Sequence, residues 1–325
     1  MPQIAWRSII SSVAPPRSRP APLCLGLAVG AALACLLAGQ EPQVTIQPRP
    51  RHSARGASAP ILRLDLKVVL VPVMVTDARG RPVLNLSRDH FRVLEDGVEQ
   101  VIRSFSQEDT PVSLGIIFDT SGSMRGRLSA SVESMRLLFE TRMTGDEYFV
   151  VQFADQPHLL GGFTPEPEEI RQRLGLLQAH GWTSLLDAIA LGVHEMTSAR
   201  NARHVLLVLS DGNDNNSRYT EKEIRSMVME SDVRVCAIGV GHRSRFLQQL
   251  AEETGGKVLI AQHAADLQDV VQTLSREIRT QYVVGYSSQC WNDGKYHKVR
   301  VEVVPPPGAP ALRASWRRGY YAPSE

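Results

Sequence analysis

Cysteine is scarce in this chain of 325 residues, which contains only four. Cys24 and Cys35 lie in an apolar N-terminal stretch, Cys236 lies in an apolar run, and Cys290 lies in a turn-like stretch. Because the last two cysteines lie in such different settings, we predict that they stay unpaired. The sequence supports neither a disulfide scaffold nor a thiolate zinc site.

Clusters of Lys and Arg interleaved with aromatic residues are also lacking, which argues against nucleic-acid binding. The formal net charge is +2, but the first sixty residues contain six of the 36 basic residues and only one of the 34 acidic residues. The rest of the chain is therefore about neutral. The hydrophobic content of the full chain, 43%, is that of a globular protein.

Enzyme motifs are absent or incomplete. The sequence has no GxxxxGK[ST] phosphate loop, and its nine histidines show no metal-ligand spacing. The stretch 239–244 follows a predicted strand, but it lacks the third glycine of a dinucleotide-binding fingerprint. His194 and Glu195 are not followed by the second histidine of a zinc-protease helix. These absences argue against the common nucleotide-dependent and zinc-dependent enzymes.

The N-terminal part of the chain is typical of an exported protein. Residues 20–39 carry no charge and follow two arginines, so we predict a signal peptide or signal anchor over 1–39. Its length also suits a single membrane anchor, and the mode of release stays open. Residues 40–60, rich in Pro, Arg, Ser and Gln, predict a flexible linker. We expect an extracytoplasmic protein that is secreted, periplasmic or membrane-anchored.

The segments 61–108 and 281–325 are both rich in predicted strands. Asp96 and Gly97 mark a tight hairpin in the first segment. Each segment is too small to form a stable sheet alone. We therefore predict that the two pack into one β-sandwich, with two separate β appendages as the alternative. The predicted strands are 66–76, 91–95, 98–105, 281–287, 296–304 and 317–321.

Residues 111–280 alternate between strand and helix patterns. Such alternation predicts a Rossmann-like α/β domain, with a mainly parallel six-stranded sheet and helices on both faces. This domain would be inserted in, or flanked by, the small β-sandwich. The predicted strands are 112–118, 148–154, 158–163 as a short antiparallel edge, 204–210, 233–240 and 257–261. The predicted helices are 128–142, 166–178, 184–199, 220–231, 244–254 and 264–280.

Three oxygen-bearing side chains, Asp119, Ser121 and Ser123, directly follow the apolar strand 112–118. The carboxyl end of a central parallel strand is where open α/β sheets place their ligands. Small oxygen donors on a glycine-containing turn suit a hard divalent cation, although the same groups also suit capping of the next helix. Further along the chain, Thr183 precedes a predicted helix and Asp211 follows another buried strand.

The order and spacing of these residues resemble the metal-ion-dependent adhesion site of von Willebrand factor type A (vWA) domains. The resemblance covers about 112–280, and all five ligand positions are filled. It implies that Ser121 and Ser123 bind the cation directly, whereas Asp119, Thr183 and Asp211 bind it directly or through water. A carboxylate of the partner would take the sixth position. Because Mg²⁺ favours six oxygens, keeps waters and binds few carboxylates, we expect Mg²⁺ or Mn²⁺ as the cofactor.

The whole layout also resembles exported bacterial proteins with a VWFA-related domain, in which β segments flank the domain and the second ends in Gly-Tyr-Tyr. The matching pieces here are 91–97 and 319–321. We expect Trp182 to act as a contact anchor at the rim of the site, with packing against the sheet edge as the alternative. Asn213 and Asp214 belong to a polar loop that either shapes this rim or is a solvated turn.

The sequence thus predicts an exported, metal-dependent binding module that coordinates an Asp or Glu carboxylate of a protein or peptide ligand and is not an enzyme. Contact with a membrane is expected only through the N-terminal segment. Two alternatives stay open, a metal-dependent hydrolase and an envelope scaffold in which the metal is structural. The hydrolase is disfavoured because a phosphoryl-transfer site would need a second carboxylate where Ser121 stands, and no general base is evident.

Overall fold

The computed structural model describes residues 68–107, 110–212, 214–290, 292–308 and 310–324. The predicted signal segment 1–39, the predicted linker 40–60 and Asn213 lie outside the described residues. Among the helices that are described, none is long and apolar enough to cross a membrane.

The described residues form two antiparallel sheets and one mixed sheet with helices. The strands are β1 (Val68–Thr76), β2 (Phe91–Glu95), β3 (Val98–Gln100), β4 (Ile102–Gln107), β5 (Val112–Asp119), β6 (Glu147–Phe153), β7 (Pro157–Thr164), β8 (Arg203–Ser210), β9 (Val233–Val240), β10 (Val258–Ala261), β11 (Tyr282–Ser287), β12 (Tyr296–Val303), β13 (Arg313–Trp316) and β14 (Gly319–Tyr321). The α-helices are α1 (Leu128–Glu140), α2 (Pro167–Leu174), α3 (Leu185–Met196), α4 (Glu221–Glu230), α5 (Arg245–Thr254) and α6 (Leu267–Arg279).

The central sheet has six strands in the order β10-β9-β8-β5-β6-β7. All neighbouring pairs are parallel except β6 with the edge strand β7, which is antiparallel. Every residue of β5 is buried, as expected for a central strand with helices on both faces. The predicted mainly parallel six-stranded α/β sheet is confirmed.

Two hydrophobic cores cover the faces of this sheet. Because successive side chains of a strand point to opposite faces, Ile116 and Phe118 enter one core while Ile117 enters the other. The first core includes apolar residues of α1 and α6, and the second includes those of α3, α4 and α5. Both faces are thus closed, and the loops at the ends of the strands remain for a functional site.

A sandwich of two four-stranded sheets is built from both ends of the described chain. One sheet has the order β13-β1-β11-β4 and the other β14-β12-β2-β3. β1 pairs with β11 and β2 pairs with β12, so each sheet combines strands that precede and follow the α/β region. Val73, Val93, Tyr282 and Val284 are buried between them. The sandwich is therefore joint, and the alternative of two separate β appendages is wrong.

The predicted single strand 98–105 is wrong. The chain forms two strands, β3 and β4, with Val101 between them. β3 completes a hairpin with β2, whereas β4 pairs with β11 in the other sheet. Apolar and polar residues alternate across the break, because both strands lie at a surface of the sandwich. The alternation therefore does not reveal the change of sheet, which depends on pairing partners far away in the chain. The sequence patterns also missed β13, and the predicted helix 166–178 ends at Leu174.

Cys236 is buried and Cys290 is exposed, and both are free. The prediction that these two cysteines stay unpaired is confirmed. Cys24 and Cys35 lie outside the described residues.

Candidate metal centre

Asp119 is the last residue of the central strand β5, and its carboxylate is fully buried. Its Oδ1 accepts a hydrogen bond from the Ser121 backbone N–H at 2.8 Å. Its Oδ2 accepts a hydrogen bond from the Ser210 hydroxyl at 2.5 Å. Because both oxygens are held by groups on two neighbouring strands and their loops, the orientation of the carboxylate is fixed.

The electrostatic environment of Asp119 disfavours its charge. Burial raises the pKa of the carboxyl above its ordinary value, and the nearby charge of Asp211 raises it further. Hydrogen bonds from Ser121 and Ser210 act in the opposite direction without cancelling the rise. A cation placed beside this carboxylate would therefore relieve an unfavourable burial of charge.

The two serine hydroxyls connect Asp119 to the end of the neighbouring strand β8. Ser123 Oγ donates to Asp211 Oδ1 at 2.7 Å, and the hydroxyl oxygens of Ser121 and Ser123 are 3.0 Å apart. Ser123 has one hydroxyl proton, which it gives to Asp211, so it cannot donate to Ser121. The Ser121 hydroxyl can donate its own proton either to Ser123 or to Asp119. Both lone pairs of the Ser121 hydroxyl oxygen are left without a partner among the described residues.

Asp211 is almost as enclosed as Asp119, with a side-chain exposure of 1%. Its second oxygen, Oδ2, accepts a hydrogen bond from Arg127 Nη1 at 3.0 Å. Arg127 lies between the short 3-10 helix Gly122–Gly126 and the start of α1. One positive charge is therefore already present beside the pair of carboxylates.

Thr183 lies on the loop before α3, and backbone hydrogen bonds tie this loop to the segment after β5. His180 N donates to Thr120 O at 2.9 Å, and Gly122 N donates to Gly181 O at 3.1 Å. Gly181 has a φ of 68°, and a side chain there would overlap the Asp155 carboxylate. The glycine thus permits the tight passage of the loop beside the site.

The other side of Thr183 is fixed by the loop after β8. Thr183 N donates to Asn215 Oδ1 at 2.8 Å, and Thr183 O accepts from the backbone N–H groups of Asn215 and Asn216. The three predicted segments therefore meet at one edge of the sheet. Side-chain hydrogen bonds connect Asp119, Ser121, Ser123 and Asp211 within this network, and Thr183 is brought beside it by its backbone.

The predicted rim residues occupy different positions. Trp182 is 64% exposed, and its backbone N–H donates to Asp155 Oδ1 at 2.8 Å. Its indole ring is therefore available at the surface and is not packed against the sheet. Asp214 accepts a hydrogen bond from Leu186 N at 3.2 Å and another from the Ser217 hydroxyl, so it holds the start of α3. Asn213 lies outside the described residues.

The contacts that three residues make in the site could not be predicted from the sequence patterns. Ser210 stands at the end of an apolar strand, where its hydroxyl was the only signal of a contact. Asn215 belongs to a polar stretch that is typical of a solvated turn, although it holds Thr183. Arg127 resembles any charged residue near the start of a helix, and nothing in the sequence indicates its contact with Asp211.

The donor set is one of hard oxygens only: two carboxylates and three hydroxyls. Within the described ranges, no group of three or more His, Cys, Asp or Glu side chains is placed to hold a metal. The separation of 3.0 Å between the Ser121 and Ser123 oxygens matches the roughly 2.9 Å between adjacent oxygens of an octahedron with Mg²⁺–oxygen bonds of about 2.0–2.1 Å. An all-oxygen set of this kind suits a hard cation such as Mg²⁺.

Comparison with solved structures finds proteins with partial structural similarity to this chain. One is described as von Willebrand factor type A from Catenulispora acidiphila, with 14% identity, a TM-score of 0.48, and coverage of 79% of this chain and 74% of that chain. Another is the vWF domain of a type V pili tip protein from Porphyromonas gingivalis, with 12% identity, a TM-score of 0.44, and coverage of 53% and 96%. A third is an aerotolerance-related membrane protein from Bacteroides fragilis, with 17% identity, a TM-score of 0.44, and coverage of 51% and 98%.

The family comparison is more direct. No significant match is found among curated proteins. Residues 114–213, which run from β5 through the loop after β8, match the family described as von Willebrand factor type A domain. This range contains all five predicted ligand residues. Within the α/β region, residues 114–213 are therefore similar to the von Willebrand factor type A domain family.

Proposed function

We propose that this protein is an exported binding module that holds Mg²⁺, or Mn²⁺, at the edge of its central sheet and binds a carboxylate of a protein or peptide partner through that ion. The observation that carries the proposal is the hydrogen-bonded chain from Ser121 through Ser123 to Asp211, beside the buried Asp119. These hydrogen bonds bring oxygen atoms that suit a hard cation from separate segments into one small volume.

The hydrogen bonds suggest which ligand residues would contact the cation directly and which would contact it through water. All four oxygens of Asp119 and Asp211 already accept a hydrogen bond from the protein, which favours contact with the cation through water. The Ser121 hydroxyl has unused lone pairs and would bind directly, together with Ser123. Thr183 would complete the set from the neighbouring loop. The bound ion would supply a positive charge for the incoming carboxylate.

Recognition would extend from the ion to the exposed Trp182. Aromatic side chains at the surface are frequent anchors of protein interfaces, because they offer a large contact area with little loss of conformational freedom. The distribution of charge supports a carboxylate-bearing partner, since neutral hydroxyls in place of further carboxylates avoid an excess of negative charge around the ion. The apolar, uncharged segment 20–39 supports export of the chain.

Catalysis is not favoured by this arrangement. The second carboxylate of the site, Asp211, is held by Ser123 and Arg127 and has no described histidine as a hydrogen-bond partner. Both carboxylates are fixed by protein donors, so neither is free to act as a general base. We therefore infer a binding role for the domain and not a hydrolase.

The test is capture of an envelope protein from the source cells by the full chain in Mg²⁺. We expect capture to be lost on chelation and in the Asp119→Asn variant, and to weaken in Trp182→Ala. The captured segment should contain an Asp or Glu whose replacement by Asn or Gln abolishes binding. Asp89→Asn, which alters a carboxylate that is 85% exposed and outside the site, is the control and should bind like the wild type.

Two outcomes would contradict the proposal. If capture survives chelation while the thermal stability of the protein falls, the metal has only a structural role in a scaffold. If the purified chain hydrolyses phosphate or peptide esters and Asp119→Asn abolishes that turnover, the domain is a hydrolase.

A further inference from the structure

Arg127 is a cationic side chain in contact with the predicted ligand residue Asp211. Its Nη1 donates to Asp211 Oδ2 at 3.0 Å, and this carboxylate side chain is only 1% exposed while that of Arg127 is 39% exposed. The pair therefore consists of an enclosed anion and a cation that closes it from the solvent side. An ion pair with one enclosed partner is costly to break, because the remaining charge is left without compensation.

The fold leaves room for this guanidinium group at one specific place. Gly241 follows β9 with a φ of 75°, and a Cβ atom there would lie 2.8 Å from Arg127 Nη2. A side chain at this position would displace the guanidinium from Asp211. Arg127 is thus enclosed between the loop after β8 and the loop after β9, as a part of the site and not as a freely solvated residue.

We infer that Arg127 sets the charge of the proposed metal centre. The inference rests on the proposed function. Asp119 and Asp211 together would carry two negative charges, which would neutralise a divalent cation completely. With Arg127 the occupied centre keeps one positive charge. That charge attracts a partner carboxylate, at the cost of weaker cation binding.

The position of Arg127 has a second effect, which also weakens cation binding. By occupying Oδ2 of Asp211, the guanidinium leaves only Oδ1 to face the serine hydroxyls. Arg127 therefore acts through Asp211 and is a positioning residue that does not itself touch the ion. A purely structural role predicts the opposite outcome, since loss of the tether would loosen Asp211 and weaken cation binding.

The experiment measures Mn²⁺ affinity of the full chain by electron paramagnetic resonance of the free ion, at low ionic strength. We expect Arg127→Met to bind Mn²⁺ about tenfold more tightly than wild type, because a positive charge beside the site is removed. Arg127→Lys keeps the charge and should stay within about threefold of wild type. Arg125→Met removes an exposed arginine of the same turn and should have an effect of less than about twofold.

A second readout follows the carboxylate. Acetate that binds the protein-held Mn²⁺ displaces water from the ion and lowers the relaxation enhancement of water protons. We expect Arg127→Met to require about tenfold more acetate than wild type for the same decrease, since its occupied centre has no net positive charge. Tighter Mn²⁺ binding combined with weaker acetate binding is the signature of charge setting.

The outcomes separate this inference from the proposed function. Weaker or unchanged Mn²⁺ binding by a folded Arg127→Met variant, with wild type binding normally, overturns the role of Arg127 alone. If Arg127→Met binds Mn²⁺ while wild type does not, the role of Arg127 stands and the proposed function of the wild-type protein fails. If neither chain binds Mn²⁺, both are overturned.

Discussion

Two of the sites that contain buried carboxylates among the described residues, one in the β-sandwich and one at the edge of the central sheet, have different surroundings. In the β-sandwich, Glu95 Oε1 accepts hydrogen bonds from the hydroxyls of Tyr286 at 2.8 Å and Tyr320 at 2.6 Å. Its Oε2 accepts from the Ser288 hydroxyl at 2.9 Å. Burial raises the pKa of both tyrosines, so these phenols remain protonated donors over the physiological range. The Glu95 network is a set of donors directed at one acceptor.

At the edge of the central sheet the balance is reversed. Asp119 and Asp211 lie close enough for the charge of Asp211 to raise the pKa of Asp119, and the Ser121 hydroxyl keeps unused lone pairs. Acceptors exceed donors there, whereas donors match the acceptor in the sandwich. A hydrogen-bond network in which every group has a partner stabilises the fold, whereas an excess of oxygen acceptors favours binding of a cation.

Replacing Glu95 gives the largest expected change in stability and sharpens this comparison. Glu95→Ala leaves two buried hydroxyls and the partly buried hydroxyl of Tyr320 without their acceptor, so we expect the free energy of unfolding to fall by about 3 kcal/mol. Urea unfolding measures this change. Divalent-metal affinity should not change. Glu99→Ala on the exposed face of β3 is the control, with an expected effect below about 0.5 kcal/mol. Equal stability of the two variants would contradict the assigned role of Glu95.

A matched pair of serine variants compares the two regions directly, because each serine donates to a buried carboxylate. Ser288→Ala should lower the free energy of unfolding by about 1 kcal/mol without affecting metal affinity. Ser123→Ala should weaken metal binding by about tenfold or more, because a ligand is removed. Urea unfolding and metal titration of both variants are required. The comparison fails if Ser288→Ala weakens metal binding as much as Ser123→Ala does.

The smallest expected effect is a pH dependence confined to the sandwich. His297 contacts Asp293 through Nε2 at 2.9 Å and Asp96 through Nδ1 at 2.7 Å. Hydrogen bonds to Asp293 and then Asp96 raise the pKa of His297 above its ordinary value of 6.5. The same contacts lower the pKa of both aspartates below their ordinary 3.8.

The sign of this effect follows from the shifts. The protonated His297 stabilises the fold fully below pH 6.5, and its contribution is lost as the pH rises through the raised pKa. The aspartates contribute above pH 3.8, and their part is lost as the pH falls through their lowered pKa. Between pH 6 and pH 9 we expect the melting temperature of wild type to fall by roughly 2–4 °C more than that of His297→Gln. Parallel curves for the two proteins would show that this contact contributes nothing.

Much of the fold and four of the clustered side chains could be predicted from local patterns. The apolar run of β5 indicates a buried strand, and a strand of a parallel sheet ends at the edge where Asp119 and Asp211 then meet. Position along the chain was enough to place Ser121 and Ser123 beside them, because they occupy the turn that directly follows Asp119.

Contacts between distant segments could not be predicted in this way. The contact of Ser210 with Asp119 depends on β5 and β8 being neighbours in the sheet. The break at Val101 depends on which sheet each flanking strand joins. The contact of Arg127 with Asp211 depends on where the start of α1 lies relative to the loop after β8. In each case the sequence shows which residue types are present but not which distant segments lie next to each other.

The most direct test of the proposed metal centre is isothermal titration of the full chain with Mg²⁺, for wild type, Asp119→Asn and the control Asp187→Asn. Asp187 accepts hydrogen bonds from Arg218 N and Tyr219 N and lies outside the ligand set. We predict one Mg²⁺ per chain for wild type and Asp187→Asn, and a loss of affinity of about 100-fold or more in Asp119→Asn. Equal Mg²⁺ binding by Asp119→Asn and wild type would contradict the assignment of this site.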